Sequence, residues 1–463
     1  MLHIPILRAG TPYQSLNRFE VNHFISGEPL ATVSLANPGL IARDLNQMAA
    51  SQRSLAELGI PRLIAVCREA AALFLRESLP IGDQMQSKTD YIHQVSATTG
   101  MPEVMCENNM HKIATALEKM EEVLAGLTRG LPLENLHLAF RRETLSLGAV
   151  LPNNSPGVHS LWLPAIALQI PVVLKPGSRE PWTPYRIVQA LIRAGCPKDA
   201  FFYYPTDPNG AREILLRCGK SMFFGDKNTV AGWGGGDIQI HGPGWSKVIV
   251  GEDKADDYES FLDLMVTSVA ANGGRSCINA SGIWSAARGR ELAEALAQRL
   301  AAIPARAMDD PQAQISAFTN VRLAEMLDRK IESQIAQGGA EDLTARYRDG
   351  GRLVTLDGAT FLLPTLVWCE DADHPLAQAE YLFPFCTAVQ ASQAEIPDRI
   401  GATLVATVLS EDEAFIQHLV SSRQVDRINV GPIPTVKIRW DQPHEGNLFE
   451  LLYKQRAVQY QSF

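Results

Sequence analysis

The chain has 463 residues, of which 46% are apolar and 20% charged, so it can bury a large core and is long enough for two domains. A net charge of −9 argues against nonspecific nucleic-acid binding, and no apolar run approaches the roughly 20 residues that cross a bilayer. Seven scattered cysteines without a CxxC pair disfavour disulfides and a structural metal site. Residues 1–5 lack the basic start of a secretory signal. We therefore expect a cytoplasmic protein without a metal ion.

Helices and strands are predicted in two successive patterns. Residues 41–129 carry apolar residues mostly at helical spacing. From about residue 138, strand-like runs alternate with short helices, which is typical of a parallel sheet covered on both faces. The predicted strands of this first series are 145–151, 171–174, 201–204, 221–224 and 246–250. The helices between them are predicted at 158–168, 184–194 and 209–218.

A second α/β block is predicted after Gly251, from the order of its elements. Its predicted elements are a helix at 292–300 and strands at 361–368, 387–390 and 402–409. The expected domains are residues 1–250, which include an arm strand near 134–147, then residues 251–435, and a C-terminal arm at 436–463. The expected fold class is α/β.

Cys277 is the candidate nucleophile. It closes the run Asn272-Gly273-Gly274-Arg275-Ser276-Cys277, which follows an apolar, helix-like stretch at 261–269. A small, glycine-rich turn after a helix leaves a thiol open to a substrate, and the nearby arginine favours the thiolate. Most of the other six cysteines are expected to be buried and inert.

Three further motifs lie upstream of Cys277. They are Pro152-Asn153-Asn154-Ser155-Pro156, the lysine Lys175 at the end of the strand 171–174, and Phe223-Phe224-Gly225. Taken singly, the first two indicate a turn and a surface lysine. The glycine-rich run 232–236 is not a dinucleotide fingerprint, because its third glycine position is Asp237. Together with Cys277, the order and spacing of the three motifs resemble the aldehyde dehydrogenase superfamily.

This resemblance implies two Rossmann-like lobes, a small oligomerisation arm, and a homodimer or homotetramer. It assigns the side-chain amide of Asn154 and the backbone N–H of Cys277 to an oxyanion hole. Lys175 and Gly225 are implied to contact NAD or NADP. Glu380, within Ala379-Glu380-Tyr381-Leu382-Phe383-Pro384, takes the place of the glutamate that holds the nicotinamide ribose.

The residues after Lys175 bear on the choice of cofactor. Members of the superfamily that prefer NAD often have a glutamate three residues past this lysine, whereas Ser178 and then Arg179 stand here. A serine does not repel a 2′-phosphate and an arginine can pair with it, which slightly favours NADP. Arg179 fits equally well as a solvated surface charge.

The glutamate that serves hydrolytic members as general base is missing, and His241 stands in its place. The following Gly242-Pro243-Gly244 resembles the CoA-acylating branch, in which the acyl group passes to CoA. The leading hypothesis is thus an acyl-CoA reductase or acylating aldehyde dehydrogenase, acting on a small aldehyde or an acyl-CoA. Three alternatives remain open: a hydrolytic enzyme with His241 as base, a purely structural His241, and a nucleotide-binding homologue without catalysis.

Overall fold

The structure is a computed structural model that describes residues 1–133, 136–225 and 237–461. The predicted α/β class is confirmed. The chain forms two compact units. Unit 1 consists of Met1–Thr99, Cys106–Gly242 and Arg439–Phe463, and unit 2 of Gly100–Met105 and Pro243–Ile438. The glycine-rich run 232–236 lies outside the described residues.

The helices and strands of unit 1 begin at the N-terminus with strands that the sequence did not predict. The strands are β1 Leu2–Ile4, β2 Ile6–Arg8, β3 Thr11–Tyr13, β4 Arg18–Asn22, β5 Pro29–Ser34, β6 Leu79–Ile81, β7 Gln84–Gln86, β8 Phe140–Arg142, β9 Ser146–Val150, β10 Val172–Lys175, β11 Phe201–Tyr203, β12 Gly219–Phe224 and β13 Asp237–His241. The helices are α1 Pro38–Leu45, α2 Met48–Leu58, α3 Ile60–Arg76, α4 Lys88–Thr99, α5 Glu103–Glu118, whose first turn belongs to unit 2, α6 Met120–Leu127, α7 Leu136–Ala139, α8 Pro164–Ala167, α9 Trp182–Arg193 and α10 Pro208–Arg217.

The main sheet of unit 1 has the order β13-β12-β9-β10-β11-β2-β3. The five strands from β13 to β11 are parallel, and β2 and β3 are antiparallel additions at one edge. Strand β10 lies in the middle, and its residues Val172, Val173 and Leu174 are fully buried. A short, continuously apolar run is what a strand covered on both faces requires, so this strand was predictable from the sequence.

Unit 2 contains the remaining α/β elements up to residue 438. Its strands are β14 Ser246–Val250, β15 Ala280–Ser285, β16 Ala340–Asp342, β17 Leu353–Leu356, β18 Ala359–Leu362, β19 Thr365–Cys369, β20 Phe385–Gln390, β21 Thr403–Leu409 and β22 Val425–Val430. Its helices are α11 Leu262–Ala270, α12 Gly289–Ala301, α13 Val321–Ile335, α14 Ile396–Arg399 and α15 Glu413–Ser421.

The sheet of unit 2 corrects one prediction. Its order is β16-β19-β20-β15-β14-β21-β22, and all pairs except β16 with β19 are parallel. The strand predicted at 246–250 exists as β14, but it pairs with β15 and β21 rather than closing the first series. All five residues of β14 are buried. A strand buried on both faces has the same character in either sheet, so the sequence alone could not place it.

The C-terminal residues return to unit 1. Helix α16 Leu448–Leu452 leads into β23 Tyr453–Gln455, which pairs antiparallel with β8. Asn447 caps α16 by accepting from the N–H of Phe449 at 2.9 Å, and its amide donates to the carbonyl of Leu127. Such a cap stabilises a helix by about 1 kcal/mol. The strand expected near 134–147 and the C-terminal segment therefore form one small sheet.

No helix among the described residues is both long and apolar enough to cross a membrane. Within the same residues, no group of three or more His, Cys, Asp or Glu side chains could hold a metal ion.

Candidate active site

The loop that carries Cys277 lies between α11 and β15, at the amino end of that strand. Asn272, Gly273 and Gly274 have φ values of 55°, 65° and 68°. A Cβ on Gly274 would lie 2.4 Å from the carbonyl carbon of Phe383, so glycine is required there by both conformation and space. The turn thus ends the helix abruptly and delivers the thiol to the start of the next strand.

Asn279 fixes this loop to the end of α11. Its side-chain amide donates to the carbonyls of Ser268, Val269 and Ala271, and its Oδ1 accepts from the N–H of Ser276 at 2.9 Å. A helix end leaves carbonyl groups without intrahelical partners, and this buried side chain satisfies several of them. The loop is held by residues close to it in sequence.

Cys277 differs from the other cysteines in its exposure. It is half-buried, whereas the remaining six are buried. Burial raises the pKa of the Cys67, Cys218 and Cys369 thiols to about 12, which keeps them protonated at neutral pH. The prediction that most of the other cysteines are buried is confirmed, and Cys277 is the thiol available for reaction.

The Gly-Pro-Gly run packs against the backbone of Cys277. A Cβ on Gly244 would lie 1.9 Å from the carbonyl oxygen of Cys277, so only glycine permits this approach. The hydroxyl of Ser246 donates to the same carbonyl at 2.8 Å. Gly244 therefore has a structural reason to be glycine that is independent of the identity of the acyl acceptor.

Glu380 binds the turn that follows. Its carboxylate accepts from the N–H of Gly244 at 3.1 Å and from the N–H of Trp245 at 2.5 Å. Lys247, 1% exposed, donates from its ammonium to the carbonyl of Trp245 at 2.7 Å and to Thr403 Oγ1 at 3.0 Å. Burial lowers the pKa of Lys247 to about 7, although the charge of Glu380 acts to raise it. The turn is held through its N–H groups and through a carbonyl.

In unit 1, four predicted site residues lie at the carboxyl ends of parallel strands. Asn154 follows β9, Lys175 ends β10, Gly225 follows β12 and His241 ends β13. The strand order reverses direction at β9, where β10 lies on one side and β12 on the other. In open α/β sheets, ligands bind outside the carboxyl ends at such a switch point. The fold of unit 1 thus brings these residues to one edge of the sheet.

The loops after β9 and β10 are tied together. The Oδ1 of Asn153 accepts from the N–H of Arg179 at 2.7 Å, and a Cβ on Gly177 would lie 2.4 Å from the same oxygen. This contact gives Asn153 a structural role in joining the two loops. Next to it, the Oδ1 of Asn109 accepts from the N–H of Gly157 at 2.9 Å and fixes the turn after Asn154. Asn109 was not identified from the sequence.

The residues near Lys175 are suited to a dinucleotide. The lysine is half-buried, and burial lowers its pKa. Ser178 and the side chain of Arg179, three and four residues after Lys175, are exposed. A shielded ammonium can donate to ribose hydroxyls, while an exposed guanidinium can reach a phosphate. The donor set therefore fits NAD or NADP.

His241 is paired with a carboxylate from the C-terminal segment. Its Nδ1 lies 2.6 Å from Oε2 of Glu445, and its ring stacks on Phe224 with centroids 4.7 Å apart. Because a carboxylate accepts, Nδ1 is the donor in this pair, and in the tautomer that this assigns Nε2 has a lone pair. Among the described residues, this buried Nε2 has no hydrogen-bond partner. A histidine oriented in this way has the arrangement of a general base.

Glu445 was not identified as a site residue from the sequence. It lies 204 positions from His241, and no motif connects the two. The backbone also holds it in place, because the side-chain amide of Gln239 on β13 donates to the Glu445 carbonyl at 2.6 Å. The pairing depends on how the C-terminal segment packs on unit 1.

Comparisons with known proteins agree with the fold and the motifs. The sequence profile described as "Aldehyde dehydrogenase family" matches residues 11–447, and the chain belongs to this family. Geranial dehydrogenase of Castellaniella defragrans is 21% identical over 394 residues, which are 79% of this chain and 80% of that protein.

Solved structures of related dehydrogenases share the fold. An indole-3-acetaldehyde dehydrogenase in complex with NAD⁺ has a TM-score of 0.80 at 17% identity, covering 99% of this chain and 96% of that one. A 3,6-anhydro-L-galactose dehydrogenase in complex with NADP has a TM-score of 0.79 at 14% identity, covering 98% and 99%. Succinate-semialdehyde dehydrogenase of Burkholderia pseudomallei has a TM-score of 0.78 at 19% identity, covering 99% and 98%. All of these relatives are named dehydrogenases rather than acyl-CoA reductases.

Proposed function

We propose that this protein oxidises an aldehyde with NAD(P) through an acyl-enzyme on Cys277, and that His241 deprotonates the water that releases the acid. One observation carries the proposal: at the position of the superfamily's catalytic glutamate stands a histidine oriented by Glu445, with a buried Nε2 that has no partner among the described residues. The hydrolytic function differs from the acylating hypothesis, because an enzyme that passes the acyl group to CoA does not need a base that activates water.

The chemistry begins at the thiol. The Cys277 thiolate attacks the aldehyde carbonyl carbon, and the side-chain amide of Asn154 and the N–H of Cys277 donate to the resulting oxyanion. When bound, NAD(P) would accept the hydride that leaves this carbon, and the thiohemiacetal would thereby become a thioester. His241 Nε2 then takes a proton from water as the hydroxide adds to the thioester, and the carboxylic acid leaves as the thiolate is restored.

The cofactor contacts follow the resemblance. Lys175, Ser178, Arg179 and Gly225 would hold the adenosine side of NAD or NADP, with the exposed Arg179 favouring NADP. Glu380 would hold the nicotinamide ribose. Its carboxylate accepts from the backbone N–H groups of Gly244 and Trp245, which hold it at the turn beside the Cys277 loop.

A second candidate is acyl transfer to CoA. The observation that favours it is the Gly242-Pro243-Gly244 run in place of the hydrolytic sequence. A thiol ionises more readily than water, so it attacks a thioester without a strong base. In this case the enzyme would interconvert aldehydes and acyl-CoAs, and His241 would assist CoA or serve structure alone.

Domain roles and assembly complete the proposal. Unit 1 would bind the nucleotide and unit 2 would carry the nucleophile. The small β8–β23 sheet would be the oligomerisation arm of a homodimer or homotetramer. Light scattering coupled to size exclusion tests this assembly, since deletion of residues 453–463 should then yield monomers.

The experiment that tests the function is a rapid-mixing assay at 340 nm with purified protein, aldehydes, and NAD or NADP. For His241→Gln we expect one equivalent of reduced cofactor per Cys277 in a burst, followed by turnover reduced about 10²-fold to 10⁴-fold, because the thioester forms but is not hydrolysed. Adding CoA or a small thiol should restore turnover, since a thiol needs no base. His444→Gln, a nearby histidine substitution, should turn over without a burst.

Three outcomes would contradict the hydrolytic proposal. Wild-type enzyme that turns over only when CoA is present would establish the acylating candidate. A His241→Gln enzyme with unreduced turnover and no burst would show that His241 is not the base. Protein that binds nucleotide but oxidises no aldehyde and reduces no acyl-CoA would favour the non-catalytic homologue.

A further inference from the structure

Arg427 lies next to the residues that pack against Cys277. It is on β22, in register with Val405 of β21. Val405 belongs to a small apolar cluster with Cys277, and the other members are Ile278, Leu404, Val436 and Ile438. The sequence gave no reason to single out this arginine.

The guanidinium of Arg427 also holds the segment 435–438 in place. Its Nη2 donates to the carbonyl of Thr435 at 2.5 Å and to the carbonyl of Lys437 at 3.3 Å. These two carbonyls flank Val436, which packs on the same apolar cluster as Cys277. Arg427 is therefore connected to the thiol through β21 and through the segment 435–438.

The guanidinium of Arg427 is partly buried. Its buried Nε has no hydrogen-bond partner within the same part of the chain. Burial lowers the pKa of Arg427 to about 10, and interaction with the charge of Cys277 acts to raise it. Arg427 thus remains a cation at neutral pH. Because charge interactions are reciprocal, a cation stabilised by a thiolate also stabilises that thiolate.

Other charged groups lie on the elements around Cys277, and each has a described position. They are Arg275 on the same loop, Glu380 and Lys247 at the Gly244–Trp245 turn, and Asp426 and Lys437 beside Arg427. Arg275 donates from Nη2 to the carbonyl of Ala317. Glu380 accepts from the turn, and Lys247 donates to it.

We propose that Arg427 is a positioning residue that holds Cys277 in place and stabilises it as the thiolate. The inference deepens the proposed function, since it rests on Cys277 being the nucleophile. It adds a source of activation other than the neighbouring Arg275. A thiolate formed before the aldehyde arrives removes the need for a base in the first chemical step.

The test measures the rate at which iodoacetamide alkylates Cys277, by peptide mass spectrometry, between pH 5.5 and 10. No substrate or cofactor is needed, so failure here is distinct from failure of the proposed function. For Arg427→Gln we expect a midpoint about one pH unit higher than in wild type, and on the order of tenfold slower alkylation at pH 7. Arg427→Lys should recover most of this difference because it keeps the charge. Arg423→Gln removes an exposed charge from the residues before β22 and should match wild type.

Two patterns would overturn the proposal. Arg427→Gln with the wild-type midpoint would show that the charge does not act on the thiol. Equal shifts in Arg427→Gln and Arg427→Lys would show that only packing matters. If Arg427→Gln does not fold, the wild-type midpoint is compared with that of the protein in 8 M urea, roughly the unperturbed thiol value of about 8.5. A folded midpoint at or above the unfolded one would then also overturn it.

Discussion

The loop of Cys277 and the pair of His241 with Glu445 are built in different ways. The loop is fixed by Asn279, which binds carbonyls 8 to 11 residues away, and by glycines whose conformations only glycine tolerates. The histidine is fixed by a carboxylate 204 residues away. A site made from neighbours in sequence leaves a motif, whereas a site made by tertiary packing leaves none.

The largest effect should come from the thiol itself. Cys277→Ala should lower kcat at least about 10⁴-fold, because no other group can form the acyl-enzyme. The measurement is steady-state oxidation of the best aldehyde. Cys196→Ala, which removes a buried thiol from unit 1, is the matched control and should keep turnover. Comparable losses in both variants would contradict the assignment of the nucleophile.

Substituting each glycine of the Gly-Pro-Gly run in turn tests the packing around the Cys277 loop. In Gly244→Ala, the new Cβ would lie 1.9 Å from the carbonyl oxygen of Cys277, so the backbone must move and the free energy of unfolding should fall by about 2–4 kcal/mol. In Gly242→Ala, the nearest atom is 3.5 Å away, an ordinary contact. Urea denaturation compares the two, and equal stabilities would refute the close approach.

The pairing of His241 with Glu445 can be weakened without changing the histidine itself. Glu445→Gln should keep the burst of reduced cofactor but slow later turnover about 10-fold to 100-fold, because the ring loses the carboxylate that orients it. Glu450→Gln, a carboxylate in α16 of the same segment, is the control. The pairing would lose its proposed role if both variants behaved like wild type.

The smallest effect concerns pH and the turn beside Cys277. The pKa of Lys247 is about 7 in the folded protein and near its ordinary 10.5 when unfolded. Between about pH 7 and 10 the unfolded chain holds the extra proton, so stability rises with pH. Below pH 7 both states are protonated, and the cost of burying the charge is fully present.

Lys247→Met removes this dependence. The difference in free energy of unfolding between wild type and Lys247→Met should shift in favour of wild type by about 1–3 kcal/mol from pH 6.5 to 9.5. Urea titrations at the two values give this difference. The substitution of an exposed lysine, Lys454→Met, should show no such change. If the difference for Lys247→Met stayed constant with pH, burial would not lower the pKa of Lys247.

Much of the fold could be predicted because its strands are short and apolar. Strands β9 to β12 and helices α9 and α10 were predicted within a few residues, since apolar periodicity and Gly or Pro boundaries marked them. The strands β1 to β5 were missed because they are only three to six residues long, and because β3 and β4 are largely exposed. The membership of β14 was wrong because apolar pattern identifies a buried strand but not its neighbours.

The residues of the candidate site likewise fall into two groups, those marked by a sequence motif and those brought together by packing. Cys277, Asn154 and Lys175 were named from motifs that lie in single turns of chain. Glu445, Asn109 and Arg427 were not, since their significance comes from contacts with residues 204, 48 and 22 positions away, respectively, or with the cluster around the thiol. Only packing reveals such partners.

The position of Glu445 also has a consequence for biosynthesis. On the ribosome, His241 is made 204 residues before the carboxylate that it binds. At 5–20 residues per second, this is a delay of roughly 10–40 s. By then the chain already holds Cys277, Asn279 and the carbonyls that anchor their loop. The nascent protein therefore contains all residues of its thiol-bearing loop early, while the histidine waits for a carboxylate that is translated 204 residues later.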